Sequence, residues 1–374
     1  GGSKTYDGKV VGAPTISAPN GVTLTSEDYT VTSVSGTTYL TGAGTYKYAL
    51  TQAGIDKITS TNSNYKLNDL SSLTAEYTID KREIEIITAD DQTKVYGSDD
   101  PTLTVTIPKA AGNTGLISGD TLNYTVSRVA GESVGTYGIN VTPGTNANYI
   151  ITTTKAGILT IIRKLNKNVY LEDGSKVYDG KAVDYWPVVH AVFNDGTDIV
   201  LKWSTKAANS DFVYTPETGS EDLTGVGTYE TTLSTAGMDN LIAANGNYYL
   251  GGIGAPTPAG TYTITAATAS ITINGSNKVY DGQEIDYVPT ISVVPTNTAI
   301  TAPAAITLKT GDYTITGSTG LKDVGTYKIT LTDQGVAAIK AAFTNFDITI
   351  DDSEMANYMI TAKPVTITVT GGTY

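Results

Sequence analysis

Lys176-Val177-Tyr178-Asp179-Gly180 recurs almost unchanged along this chain of 374 residues. The other copies are Lys4-Thr5-Tyr6-Asp7-Gly8, Lys94-Val95-Tyr96-Gly97 and Lys278-Val279-Tyr280-Asp281-Gly282, spaced at about 80 to 100 residues, the size of small domains. Val and Tyr suit a pleated, half-buried surface, and Asp-Gly supplies the backbone angles of a tight turn. Each copy therefore reads as a strand running into a turn. Four copies predict four tandem modules, which we delimit at residues 1–88, 89–170, 171–273 and 274–374.

Further markers follow each opening. Asp28-Tyr29, Asp211-Phe212 and Asp312-Tyr313 come first. Gly44-Thr45-Tyr46, Gly135-Thr136-Tyr137, Gly227-Thr228-Tyr229 and Gly325-Thr326-Tyr327 come next, with a Gly where a side chain lacks room and a Tyr whose ring turns inward. Asn64-Tyr65, Asn148-Tyr149, Asn247-Tyr248 and Asn357-Tyr358 complete the set, the Asn expected in a left-handed turn before a strand. Short helices are predicted behind Thr51, behind Ser234 and behind Asp333, where apolar residues recur at helical spacing. In repeat two Pro143-Gly144 stands where a helix would begin, so that module is expected to be all-β. Glu83-Ile84-Glu85-Ile86 and Val365-Thr366-Ile367-Thr368-Val369 alternate at period two. We assign such strands to the module before them and expect the last one to be packed.

Composition agrees with a mainly β, α+β protein. About one residue in six is Thr, and there are 39 Gly and 25 Tyr against 4 Phe. Cysteine is absent, so stability rests on cores and strand pairing, or on cross-links that use no sulfur. The net charge of −13, scattered among turns, disfavours nucleic acid and anionic membrane surfaces as partners. No apolar run approaches the roughly 20 residues of a membrane-spanning helix. The chain starts Gly1-Gly2-Ser3 without Met or leader, and we expect it to be part of a longer protein.

The Lys-Val-Tyr-Asp-Gly opening, the Gly-Thr-Tyr centre and the Asn-Tyr pair resemble the mucin-binding-type (MBG/YDG-like) tandem repeats of Gram-positive, lactobacillus-type cell-surface adhesins. The resemblance covers essentially the whole chain. Repeat two, with Tyr96-Gly97-Ser98-Asp99-Asp100-Pro101, is similar to a second, shorter subfamily. What the resemblance implies is a secreted, cell-wall-anchored protein, held by parts outside this chain, whose modules are β-grasp-like where they carry a helix. It further implies an elongated, monomeric rod attaching to host mucin or glycoprotein glycans. A structural stalk displaying a distal binding domain, and a carbohydrate-active accessory region, are the alternatives. The Gly-Thr-Tyr motif is also reminiscent of the corner Tyr of immunoglobulin-like sandwiches, most of all in repeat two.

Catalytic chemistry finds little to use. His190 is the single His, in an apolar strand, so no triad or zinc site is expected and no cofactor is implied. Asp7, Asp179 and Asp281 occupy one repeat-equivalent turn, which is a structural role and not a glycosidase pair. Asp90-Asp91, Asp99-Asp100 and Asp351-Asp352 cluster oxygens without calcium-loop spacing. No sequence feature identifies a Lys–Asn isopeptide triad. Trp186 and Trp203 occur only in repeat three, and with Tyr185 they are the candidate ligand-binding residues. Trp186 stands where repeat four has Val288, which predicts a packed position, whereas exposure would offer a flat face to a sugar ring.

Overall fold

The computed structural model describes residues 1–36, 39–251, 257–317, 320–350 and 355–372, and these fall into two compact units, Gly1–Lys164 and Leu165–Tyr374. Both are mostly β, with three α-helices among the described residues.

In the Gly1–Lys164 unit the opening motif ends strand Gly2–Thr5, which runs parallel to Thr74–Asp80. Gly44–Leu50 pairs antiparallel with Thr74–Asp80 on one side and Tyr29–Gly36 on the other. The same four-strand order appears as Gln92–Val95, Gly157–Ile162, Gly135–Pro143 and Tyr124–Arg128. In the Leu165–Tyr374 unit it appears twice more, around Gly227–Leu233 and around Gly325–Leu331. Each such sheet has one parallel pair at its edge. Four-stranded companion sheets form on Lys164–Leu171 and on Ala267–Ile273, and a three-stranded one on Arg82–Ala89.

Those last three strands correct an expectation. Arg82–Ala89 lies parallel to Tyr149–Lys155 and antiparallel to Val105–Thr106, both later in the chain. Ala267–Ile273 likewise pairs with Thr290–Pro295 and Phe346–Ile348. The strand that follows each Tyr-rich sheet therefore opens the next module instead of closing the one before. Consistently, residues 365–369, all described, form no strand, and Val365, Ile367 and Val369 are 78, 85 and 89 % exposed. Alternation specifies a strand and its faces but says nothing about its partner.

The Gly-Thr-Tyr strands hold the cores. Tyr46, Tyr229 and Tyr327 are fully buried, and Tyr137 is half-buried under Arg128, whose guanidinium lies 5.9 Å from the ring centre. Each hydroxyl donates to the carbonyl four residues upstream, on Gly42, Ser133, Gly225 or Asp323. This turns the chain at the strand's entry, as in the corner Tyr of sandwich folds. At Gly44 a Cβ would stand 2.2 Å from the Ser35 carbonyl oxygen, which explains the glycine.

All three helices are capped by a hydroxyl on the preceding residue: Thr51 for α1 (Gln52–Thr61), Ser234 for α2 (Thr235–Ala244) and Thr332 for α3 (Asp333–Ala342). Asp333 is not the cap. It occupies the first helical position, where its charge suits the positive helix end. Gly54, Gly237 and Gly335 bring each helix against the backbone of Asp28, Asp211 or Asp312, whose carbonyl oxygen would meet a Cβ at 2.1, 2.2 or 2.0 Å. No helix forms among the described residues of repeat two.

The Asn markers differ from their reading. Leu223 alone among described non-glycine residues has positive φ, so these Asn are not left-handed turn residues. Asn357-Tyr358 is also the wrong pair in repeat four. Tyr358 faces Tyr327 across the sheet, just as Tyr262 faces Tyr229 and Tyr77 faces Tyr46. The true counterpart is Asn345-Phe346, at the start of strand Phe346–Ile348. Residues 252–256 of the loop in repeat three and Asp351-Asp352 lie outside the described residues.

Candidate functional site

The recurring turn is a clamp. Asp7 Oδ1 accepts the Lys9 N–H at 3.0 Å and the Lys4 ammonium at 2.8 Å, while the same ammonium donates to the carbonyls of Lys9 and Val10. Lys176 with Asp179, and Lys278 with Asp281, repeat this arrangement. Gly8, Gly180 and Gly282 follow at φ 75, 73 and 77°, the angles that favour glycine. Burial opposes the charge on Asp7 and Asp179, but the bonds from Lys4 and Lys176 outweigh it and lower both carboxyls below their ordinary value. These acids thus serve the turn.

The aromatic candidates separate. Trp203 packs edge-on against Phe212 at 5.5 Å in the core that contains Leu241 and Phe193. Tyr185 stacks on Tyr262 at 4.9 Å, and its hydroxyl donates to the carbonyls of Glu172 and Asp173. Tyr287 makes the equivalent bond to Asn274. Trp186 is 50 % exposed, and Val288 at the equivalent place is 43 % exposed, so this is a surface position and the packed placement expected from Val is corrected. The Trp186 indole N–H donates to Asn209 Oδ1 at 2.8 Å, which fixes the ring while leaving it half open to solvent. The structure does not bring the three candidates together as one surface.

A separate cleft of about 370 Å³ lies between α2 and the Lys164–Leu171 strand, where Asn168, Ser234, Thr235 and Asp239 meet Met238 and Leu250. No sequence marker pointed to it, because its residues converge only in the fold.

His190 sits between two carboxylates, Nδ1 at 3.0 Å from Asp198 and Nε2 at 3.0 Å from Glu172, with the Tyr170 ring stacked at 4.9 Å. The Tyr170 hydroxyl donates to the other oxygen of Asp198. Burial works against the imidazolium, but the bonds to Asp198 and Glu172 prevail and raise the His190 pKa above 6.5. A raised histidine stabilises fully below its unfolded pKa, and that contribution is lost as pH rises through the folded value. Stability is therefore expected to fall as pH climbs above about 6.5, and His190→Gln removes this dependence. The single imidazole resonance in a proton NMR titration checks it; a midpoint at or below 6.5 would refute the arrangement.

Repeat two replaces the turn clamp with an ion network. Lys94 Nζ, buried, meets Asp100 at 2.7 Å and Glu132 at 2.6 Å, and Arg128 bridges the same two carboxylates. Hydrogen bonds from Arg128 and then Lys94 pull Asp100 down to about 2, and bonds to Asp100 and Glu132 raise Lys94. An amide bond between Lys94 and either carboxylate needs a neutral amine and a protonated acid, the opposite of this charge state. Intact-mass measurement is accordingly expected to show no loss of water from a Lys94 cross-link, and a deficit of one water placed at Lys94 by peptide mapping would overturn that. Asp90 Oδ1 accepts from the Thr106 hydroxyl and Asp91 Oδ1 from the Ile158 N–H, so both acids serve strand ends. Among the described residues no His, Cys, Asp and Glu group could hold a metal ion.

The Asn–aromatic pairs act at the joints between modules. Asn148 Oδ1 accepts the Ala43 N–H at 3.0 Å, and Tyr149 packs edge-on against Tyr6 at 5.4 Å. Asn345 Oδ1 accepts the Val226 N–H at 2.9 Å, and Phe346 packs edge-on against Tyr178 at 5.5 Å. In both, the pair from one repeat grips the Gly-Thr-Tyr entry and the opening Tyr of the repeat before it.

Recurring β-modules, three of them opened by a Lys-clamped turn and two of them gripped by a following repeat through an Asn–aromatic pair, define a tandem-repeat protein. Residues 1–81, 165–266 and 267–362 match the MBG domain, and residues 86–160 match the MBG domain of YGX type. The chain belongs to the MBG domain family. No curated protein matches it. Among solved structures, the Protocadherin GammaB4 extracellular domain is similar at 8 % identity and a TM-score of 0.21, over 77 % of this chain and 48 % of that one.

Proposed function

We propose that this chain is a repeat region of an extracellular, wall-anchored bacterial adhesin that attaches to mucus or other host glycans, without catalysis. Membership of the MBG family supports the binding role. The observation that carries the ligand class is Trp186, a half-exposed indole whose orientation is set by Asn209. A flat, pre-oriented aromatic face stacks on the apolar face of a sugar ring at little entropic cost. Single sites of this kind bind weakly, and attachment arises from many copies displayed together.

Binding of the purified chain to immobilised mucin and to a glycan array, displayed multivalently, tests this. Trp186→Ala is expected to weaken binding about tenfold while leaving the fold intact, since the side chain is outside the core. Saturable binding that survives Trp186→Ala would move the site elsewhere. A second reading, a spacer holding another domain away from the cell, is favoured by the recurring Asn–aromatic joint, which restrains neighbouring repeats. Absence of binding even under multivalent display would favour that reading.

A further inference from the structure

Repeat three differs from its neighbours inside its core. Tyr229, Thr231 and Leu233 face inward from one strand, as Tyr327, Ile329 and Leu331 do in repeat four. The repeat-four side chains belong to one apolar cluster, and in the Gly1–Lys164 unit Tyr46, Tyr48, Ile139 and Val141 share another. In repeat three the cluster is divided. Leu233 belongs to a larger part with Phe193, Phe212 and Leu241, and Tyr229 to a smaller part with Val183, Tyr262 and Ile264. Tyr214 packs on both.

The division falls at Thr231. Its side chain is 1 % exposed and, among the described residues, its hydroxyl has no hydrogen-bond partner. Across the sheet it faces Gly260, where Ile329 faces Ala356 and Tyr48 faces Ala75. Thr231 and Gly260 are the least apolar pair of the three, and a buried hydroxyl without a partner weakens the packing between the two parts. The smaller part is also where repeat four takes hold. Tyr178 and Val226 pack against it, and these are the residues that Phe346 and Asn345 grip. Tyr185, next to Trp186, packs against it too.

We propose that the smaller part of repeat three opens as a unit of its own, and that repeat four, through Asn345 and Phe346, is the latch that holds it closed. Proteins open in cooperative pieces that separate where packing is weak, and the Thr231–Gly260 pair marks such a boundary. Opening parts Tyr185 from the Tyr262 ring and from the Tyr214 hydroxyl, and it frees the Trp186 indole from Asn209. Repeat four, which carries no Trp, thus sets how much of repeat three presents that indole in its fixed orientation. The bearing on glycan attachment rests on the function proposed above; the opening itself does not, and it is measured without ligand.

Native-state hydrogen exchange of the full chain is the test. In the smaller part the reporters are the N–H of Tyr178, bonded to the Thr265 carbonyl, and that of Val183, bonded to the Leu223 carbonyl. In the larger part they are the N–H of Leu201, bonded to the Val189 carbonyl, and that of Asn245, bonded to the Leu241 carbonyl. Tyr178 and Val183 are expected to exchange faster than the other two. Asn345→Ala removes the latch oxygen and is expected to speed Tyr178 and Val183 about tenfold, while Leu201 and Asn245 keep their rates. Asn345→Asp keeps an acceptor oxygen and is expected to exchange as the parent does. Thr231→Val removes the buried hydroxyl at nearly equal size and is expected to slow the smaller part about tenfold. A single common rate for all four groups in the parent overturns the proposal, since repeat three would then open as a whole. Unchanged rates in Thr231→Val overturn it too, as does an Asn345→Ala variant that speeds none of the groups or all of them alike. The expected exchange pattern together with a failure to bind glycan would reject the role of Trp186 and uphold the latch.

Discussion

Tyr229→Ala is expected to destabilise the Leu165–Tyr374 unit by about 4 kcal/mol, the cost of deleting a large buried ring. The ring is 0 % exposed and packs with Val183, Tyr262 and Ile264. Its hydroxyl donates to the Gly225 carbonyl and accepts the Ser220 N–H at 3.2 Å. A Cβ at Gly219 would stand 2.2 Å from the ring, so the backbone has closed around it and cannot easily collapse into the space left behind. Tyr229→Phe keeps the packing and loses only the hydroxyl, at about 1 kcal/mol. Urea denaturation of the two variants separates these terms. Equal losses would mean that the corner hydrogen bond, and not the ring, holds the strand entry.

Arg82→Met is expected to cost the Gly1–Lys164 unit about 3 kcal/mol. The Arg82 side chain is 5 % exposed and every acceptor in reach is a backbone carbonyl: Gly115 at 2.7 Å, Thr114 at 2.6 Å, Gly112 at 2.8 Å and Tyr6 at 3.3 Å. Methionine retains much of the apolar stem but leaves these oxygens short of donors. Part of the loss is offset because a buried cation no longer has to be desolvated. The carbonyls win, since four bonds to one charged group exceed that saving. Hydrogen exchange should show residues 112–116 loosening first. A variant within 0.5 kcal/mol of the parent, about the range of ordinary surface changes, would show that water replaces the guanidinium.

Much of this was legible in local chemistry. The Asp-Gly turns, the Thr51 and Ser234 caps and the inward Tyr46, Tyr229 and Tyr327 are decided within a few residues of themselves, and all form as read. Asn345-Phe346 was missed because Phe replaced Tyr, although its spacing from Tyr327 matches that between Tyr46 and Tyr65. Of the aromatic candidates, the sequence could not rank Trp186 over Trp203, since only the fold shows which ring packs against Phe212.

The sequence by itself determined the repeat, the β class and the placement of the helices, because turn, cap and alternation signals act over short range. The tertiary structure decided which sheet each strand joins, that Asn148 and Asn345 bind across joints, and that Trp186 faces solvent. Those outcomes depend on partners roughly a hundred residues away or on neighbouring loops, and alternation or residue type carries no record of a distant partner.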